Sequence, residues 1–364
     1  MTKTTTKGII QTLANIGTDL NFDVKYEYRI PIGGYQPHYD LVWFLDLTKL
    51  IDIKILEKFL GKTEILQYFQ QFPLAVFEIE GSTTTSKNQV GNFANTIISP
   101  FYFKFLITDN EGAAHENDTY RRGVKILRTY STLIGNRNTF LFDKSHIQKV
   151  IVNEKLSDAV QIVKREITKK GSGGESTSTP YISKIVKHLS RLNLECIRDY
   201  KPEVYSYNYS IIEELNNIKG DKRSDFILGK VHVHDPQTNE IKANTKKEDY
   251  FYIPKIDLCY GFNLPEKFVN FFMQLSTILG SEVVNYPLLN YLKSKKDATS
   301  VFLPLIGIEV ETTNSKHLNG GILNLSTHTF CGILASEKDT ESHLTTYKHV
   351  LGIQNVLFKD ISTL

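Results

Sequence analysis

The chain has 364 residues, 41% of them hydrophobic and 23% charged, which are the proportions of a soluble globular protein with room for two ordinary domains. No apolar run is long enough to span a membrane, and the N-terminal MTKTTTKGII lacks a secretory h-region. Cys196, Cys259 and Cys331 lie far apart without metal-ligand spacing, which points to the reducing cytoplasm and away from a disulfide framework or a zinc site. The formal net charge is only +3, so affinity for nucleic acid would have to come from local basic patches.

In chain order, residues 7–20 read as an amphipathic helix with Ile9, Ile10, Leu13, Ile16 and Leu20 on one side. NFDVKYEYRI alternates and reads as a strand, and Tyr39 to Phe44 reads as a second strand with Asp40 near its start. Residues 49–72 read as helical, from the recurrence of Leu50, Ile53, Ile55, Leu56, Phe59 and Leu60. The apolar run from Pro73 ends in Glu78 and Glu80, and its composition predicts a strand buried on both faces. A crossover helix from Gly91, a strand at 101–107, a helix at 120–133 with Arg121 and Arg122 near its start, and a strand at 139–142 follow. A helix at 154–169 closes a first unit, 1–168. KKGSGGESTSTP, at 169–180, reads as a flexible linker.

A second unit, 181–364, opens with a helix at 182–192 and a strand at 194–197. Residues 203–250 have no counterpart in the first unit; within them two apolar stretches flank Pro236 to Asn239, which suggests a β-hairpin. Ile256 to Tyr260 mirrors the Asp40 strand through Asp257, and a helix is predicted at 265–279. The run FLPLIGIEVE then ends in Glu309 and Glu311. RTYSTLIGNRNTFLFD, at 128–143, aligns without gaps to TTYKHVLGIQNVLFKD, at 345–360. Three landmarks therefore occur twice in one order: a lone Asp on a strand, an E-x-E strand end, and this tail.

Two glutamates one residue apart on a strand share a face and repel unless a cation lies between them or a proton is shared. Asp40 becomes a third donor if its strand pairs with that of Glu78, and Asp257 does the same for Glu309 and Glu311. Three hard oxygen donors suit Mg²⁺, which can activate water against a phosphodiester. The gap from Asp257 to Glu309 exceeds that from Asp40 to Glu78, so inserted material is expected between the second pair of metal strands.

YDLVWFLD followed by PLAVFEIEGSTTT, and IDLCYGF followed by PLIGIEVETTNS, resemble the E-x-E variant of the PD-(D/E)XK nuclease superfamily, which includes many type II restriction endonucleases. The resemblance implies an α/β protein with two tandem restriction-endonuclease-like cores, each a mixed β-sheet flanked by helices. It implies that Asp40 and Glu78 bind metal with the carbonyl of Ile79, and that Glu80 stands at the lysine position, contacting the nucleophilic water or a second metal. Asp257, Glu309, Val310 and Glu311 take the same roles in the second unit. A helix-borne acid before the Asp is sometimes an extra ligand in this family; Glu27, on a predicted strand, fits that place poorly. The Asp-to-Glu gaps are longer than is usual for the family. Lys87 and Lys316 follow the E-x-E, and either supplies the missing cation if its loop folds back.

Lys222 and Arg223, with the hairpin, are the expected DNA-reading insertion. His232 and His234 share a strand face without an evident third ligand and read as hairpin residues. His38 reads as a surface histidine near Asp40. The expected activity is Mg²⁺-dependent cleavage of double-stranded DNA by a cytoplasmic fused pseudo-dimer, as a monomer or homodimer, with one site per strand. A cognate DNA methyltransferase acting on the same site is the implied partner. Three alternatives stand beside it: one inactive unit used for DNA binding, a nuclease acting on RNA or branched DNA, and a non-enzymatic nucleic-acid-binding protein.

Overall fold

The computed structural model describes residues 2–30, 36–109, 119–134, 138–148, 178–200, 226–229, 232–234, 241–243, 249–252, 255–264, 266–279, 301–312 and 315–364. Helix α1 (Thr2–Asp19) buries Ile9, Leu13 and Ile16, and the chain turns out of it through Asn21 at φ 62°. Asparagine tolerates that left-handed conformation better than most residues. Strand β1 (Asp23–Arg29) pairs antiparallel with β2 (His38–Asp46). The packing of α1 on β2 requires Gly17, since a Cβ there would lie 2.4 Å from Nε1 of Trp43.

The helix expected over 49–72 is shorter. Asp52 caps α2 (Ile53–Leu60) by accepting from the Lys54 N–H, and Gly61 ends it at φ 80° while donating to Glu57 O. A 3₁₀ turn at Glu64–Phe69 leads directly into β3 (Gln71–Glu80). Every residue of β3 from Phe72 onward is buried, as its composition predicts. Thr85 caps the crossover α3 (Ser86–Ile98), which leads to β4 (Phe103–Thr108). Helix α4 (Thr119–Ile134), β5 (Thr139–Asp143) and α5 (Lys144–Gln148) follow. The sheet order is β1-β2-β3-β4-β5, antiparallel up to β3 and parallel beyond it.

The second sheet repeats this plan. After α6 (Thr179–Leu189) comes β6 (Glu195–Tyr200). Four short strands follow: β7 (Phe226–Gly229), β8 (His232–His234), β9 (Ile241–Ala243) and β10 (Asp249–Tyr252). Strands β8 and β9 pair antiparallel, as the hairpin reading expects, and β7 pairs with β10 outside them. Then come β11 (Ile256–Asn263), α7 (Glu266–Leu279), β12 (Phe302–Glu311), α8 (Ser315–His328), β13 (Cys331–Ser336), α9 (Glu341–Leu351) and β14 (Val356–Asp360). Strands β6-β11-β12-β13-β14 take the places of β1 to β5 with the same pairing directions. The protein is thus α/β, with two five-stranded mixed sheets flanked by helices. The inserted strands β7 to β10 precede Asp257; the Asp257-to-Glu309 connection holds α7 instead. The helix expected at 154–169, most of the linker, and the lysines at 293–296 lie outside the described residues.

The repetition extends to single bonds. Pro73 and Pro304 both sit beside a register shift in the ladder to the preceding strand, where a residue without an N–H is tolerated. Their carbonyls accept from Tyr102 N at 3.0 Å and Phe330 N at 3.1 Å. The Asn138 and Asn355 carbonyls accept from Lys104 N and Gly332 N, both at 2.8 Å. Asp143 and Asp360 each accept from the N–H two residues on.

One apolar cluster runs through both sheets. The segments joining the Asp strand to the E-x-E strand build the junction. From α7, Phe268 packs against Phe22, Trp43 and Phe103, and Phe271 against Trp43 and Phe105. From the first half, Phe69 and Phe72 pack on Phe330, and Leu50 O accepts from Asn193 N. The long Asp-to-Glu gaps are therefore occupied by elements that cross to the other half. Phe268→Ala is expected to cost about 3–5 kcal/mol, seen as a lower urea midpoint with both halves still unfolding in one transition.

Candidate active site

The β2–β3 ladder ends at the Leu41–Phe77 pair, and one step beyond it Asp40 stands across from Glu78. The Asp40 carboxylate accepts the Ile79 N–H at 2.8 Å, so a side chain continues the ladder where the backbone stops. The second sheet does the same: the Leu258–Ile308 pair is followed by Asp257 across from Glu309, and Asp257 accepts the Val310 N–H at 2.8 Å. Asp40 and Asp257 thus lie beside their glutamate pairs, as expected. The sequence expectation placed the carbonyls of Ile79 and Val310 at a metal; the contact formed with each aspartate is through the N–H.

A fourth acid stands in each row. The pairs Tyr26–Leu41 and Tyr28–Tyr39 bracket Glu27 and set it across from Asp40. The pairs Arg198–Leu258 and Tyr200–Ile256 set Asp199 across from Asp257 in the same way. Glu27 has φ 48° and Asp199 φ 52°, conformations that side chains other than glycine rarely take. Each acid is ion-paired to the residue two before the aspartate: His38 Nε2 to Glu27 at 2.7 Å, and Lys255 Nζ to Asp199 at 2.9 Å. Each sheet therefore carries acids on three adjacent strands, Glu27–Asp40–Glu78 and Asp199–Asp257–Glu309. Glu80 and Glu311 lie two residues further on. Sequence reading set Glu27 aside and missed Asp199. Both follow alternating strand patterns, but the insertion separates Asp199 from Asp257 and hides the match.

Burial dominates the electrostatics. Glu78 is 6% exposed, and burial, then Asp40, Glu80 and Glu27, push its carboxyl well above the ordinary range. Among the described residues no hydrogen bond offsets that burial. Burial pushes Asp40 up to about 6, opposed by the Ile79 N–H and His38 and assisted by Glu27 and Glu80. Glu80 is raised by burial and pulled back by Thr84, Asn92 and Arg122. Burial also raises Asp257, opposed by the Val310 N–H and Lys255 and assisted by Asp199 and Glu311. It raises Glu309, assisted by Asp257 and Glu311 and opposed by the Asp257 backbone N–H and Lys255.

The surroundings of the two glutamate pairs differ. Asn92 of α3 donates to Glu80 at 2.8 Å, whereas in α8 Gly321 faces Glu309 and offers only backbone. Arg122 is the cation that acts on Glu80, and it spends its donors on Thr84 O at 2.7 Å, Gln89 Oε1 at 3.1 Å and Ser86 Oγ at 3.3 Å. Lys87 is exposed on the first turn of α3, and Lys316 lies on the first turn of α8. Lys222 and Arg223 lie outside the described residues.

Among the described residues no three His, Cys, Asp or Glu side chains form a ready-made metal cage; the carboxylates form a row. The donor set nonetheless fits a hard divalent cation: carboxylate oxygens only, crowded, with burial outweighing the nearby cations at each carboxyl and no cation at all acting on Glu78 among the described residues. A cation at the row would reverse the shifts that burial and mutual repulsion produce. Comparison with known proteins returns no matching family model, no matching curated protein and no matching solved structure. No helix among the described residues is long and apolar enough to cross a membrane.

The Asp40 value of about 6 exceeds the ordinary 3.8, so the folded chain keeps a proton that the unfolded chain releases between those values. The metal-free protein is therefore expected to lose stability as pH rises through that window. Thermal melts in EDTA at about pH 5 and about pH 7 check this, with Asp40→Asn flattening the difference and Mg²⁺ raising the melting temperature more at the higher pH.

Proposed function

We propose that the protein is a Mg²⁺-dependent endonuclease of the PD-(D/E)XK type in its E-x-E form, hydrolysing phosphodiester bonds of double-stranded DNA as a type II restriction endonuclease. The observation that carries this reading is the carboxylate row built twice, in the same register, at the ends of two equivalent buried strands. The two five-stranded mixed sheets agree with the pair of nuclease cores that the sequence resemblance implies.

In this reading Asp40 and Glu78 hold the metal at one site, and Asp257 and Glu309 at the other. Bound Mg²⁺ would supply Lewis-acid polarisation of the phosphate and a water of lowered pKa. The chain's own residues orient and move protons. The Ile79 and Val310 N–H groups fix the aspartates, so the carboxylate that meets the metal is held before it arrives. Asn92 fixes one oxygen of Glu80 and leaves the carboxylate to receive a proton from the attacking water. Glu311 takes that role in the second half. The apolar wall of β3 and β12 beneath the carboxylates excludes bulk water and strengthens every charge interaction above it.

Each half would cut one strand. The halves have diverged and only the second carries β7 to β10, so contacts with DNA need not be symmetric and the recognition site is proposed to be non-palindromic. A cognate DNA methyltransferase acting on the same site is the partner this reading implies. Asp40→Asn and Asp257→Asn, tested separately on supercoiled plasmid with Mg²⁺, are each expected to leave nicked circles, with cutting of one strand slowed at least about a hundredfold. EDTA is expected to abolish all cutting. Full linearisation by either variant would show that its half is idle, and binding without any cleavage by the wild type would leave a nucleic-acid-binding protein.

A further inference from the structure

We propose that His38 and Lys255 grip the phosphate of the strand being cut at their respective sites, and that Glu27 and Asp199 are positioning residues that hold those cations in place. The proposal rests on the nuclease reading above. It starts from the ion pairs that recur in both halves: His38 to Glu27 at 2.7 Å and Lys255 to Asp199 at 2.9 Å. In both, the basic residue stands two before the aspartate, which by strand periodicity puts it on the aspartate's face. In both, the acid stands across from that aspartate on the first strand of its sheet.

Folding alone does not account for this arrangement. Glu27 and Asp199 both adopt a left-handed backbone that costs stability in a non-glycine residue. Each faces a second carboxylate directly across the ladder, which is also unfavourable. The return is one solvated ion pair, a weak contribution. The His38 and Glu27 side chains are 42% and 65% exposed, and those of Lys255 and Asp199 are 41% and 57% exposed. A combination that is unfavourable for stability, retained twice while the surrounding sequence diverged, indicates a use in binding.

The location indicates what is bound. The pairs are exposed beside the carboxylates of the proposed site, of which Glu78 is buried and Asp40, Asp257 and Glu309 are half-buried. An E-x-E site lacks the motif lysine and needs a cation from elsewhere. Lys87 is exposed on a helix, and Arg122 is engaged with Thr84, Gln89 and Ser86. A phosphodiester laid across the carboxylate row would meet an imidazole N–H at one site and an ammonium at the other. Either donates to a phosphate oxygen; with Nε2–H given to Glu27, His38 does so through Nδ1–H as the imidazolium. The facing acid then keeps the long side chain from swinging away, so less freedom is lost when the strand arrives.

The experiment is cleavage of supercoiled plasmid DNA with Mg²⁺ by the full chain, followed through nicked to linear product. Lys255→Ala and His38→Ala are each expected to accumulate nicked circles, with the second cut slowed about tenfold to a hundredfold. Lys255→Arg and His38→Lys are expected to restore linearisation, and melting temperatures should stay at the wild-type value. Asp199→Asn and Glu27→Gln are expected to raise KM for plasmid with little change in kcat, and Asp199→Glu to restore it. With Ca²⁺ in place of Mg²⁺, each alanine variant should reduce the slope of log affinity against log salt by about one. Wild-type rates in both alanine variants overturn the proposal while leaving the nuclease reading intact. A wild-type chain that leaves plasmid supercoiled in Mg²⁺ overturns both.

Discussion

The two hydrogen bonds from strand N–H groups to Asp40 and Asp257 set the rest of the site. Where β2 and β11 run out of ladder, the aspartate side chain takes over the acceptor role of a backbone carbonyl. That one substitution turns the carboxylate toward the middle of the E-x-E dipeptide and brings the acids of neighbouring strands into one row. A buried carboxylate with repelling neighbours is tolerable only where backbone donors compensate it or a cation is expected. Asp40 and Asp257 have the first; Glu78 has no such donor among the described residues, and its carboxyl is pushed well above the ordinary range.

Much of this was legible in the sequence. The runs PLAVFEIE and PLIGIEVE announce strands buried on both faces that end in paired acids, and the tail alignment announces the duplication. The inserted hairpin was also visible, from two apolar stretches around a turn. The helix at 49–72 was overread because its apolar recurrence continues past Gly61, whose left-handed conformation ends α2 and resets the chain into a 3₁₀ turn and then a strand. Asp199 was invisible for a different reason. Its partner across the ladder is adjacent in space but separated in sequence by the insertion, and an acid at positive φ carries no compositional signature. Arg122 was noted at a helix start, yet nothing local connects it to Thr84 and Glu80, which it reaches only because α4 packs on α3.

The junction between the halves was also hidden. Phe268 and Phe271 lie on the helix predicted at 265–279, whose sequence does not show that they pack on the other sheet. The reciprocal crossing occupies the long connection between the aspartate and the glutamates in each half. The connection forms the contact surface that joins the halves.

Each half thus packs a segment that precedes or opens its E-x-E strand onto the other half. Tethering such partners end to end removes the requirement that both faces stay identical, because each half now always meets the same neighbour. Histidine can replace lysine on one rim, asparagine can stand where glycine stands on the other, and an extra hairpin can be carried on one side only. Two like halves held in one chain can thus drift apart on their outer faces while the face that joins them stays intact.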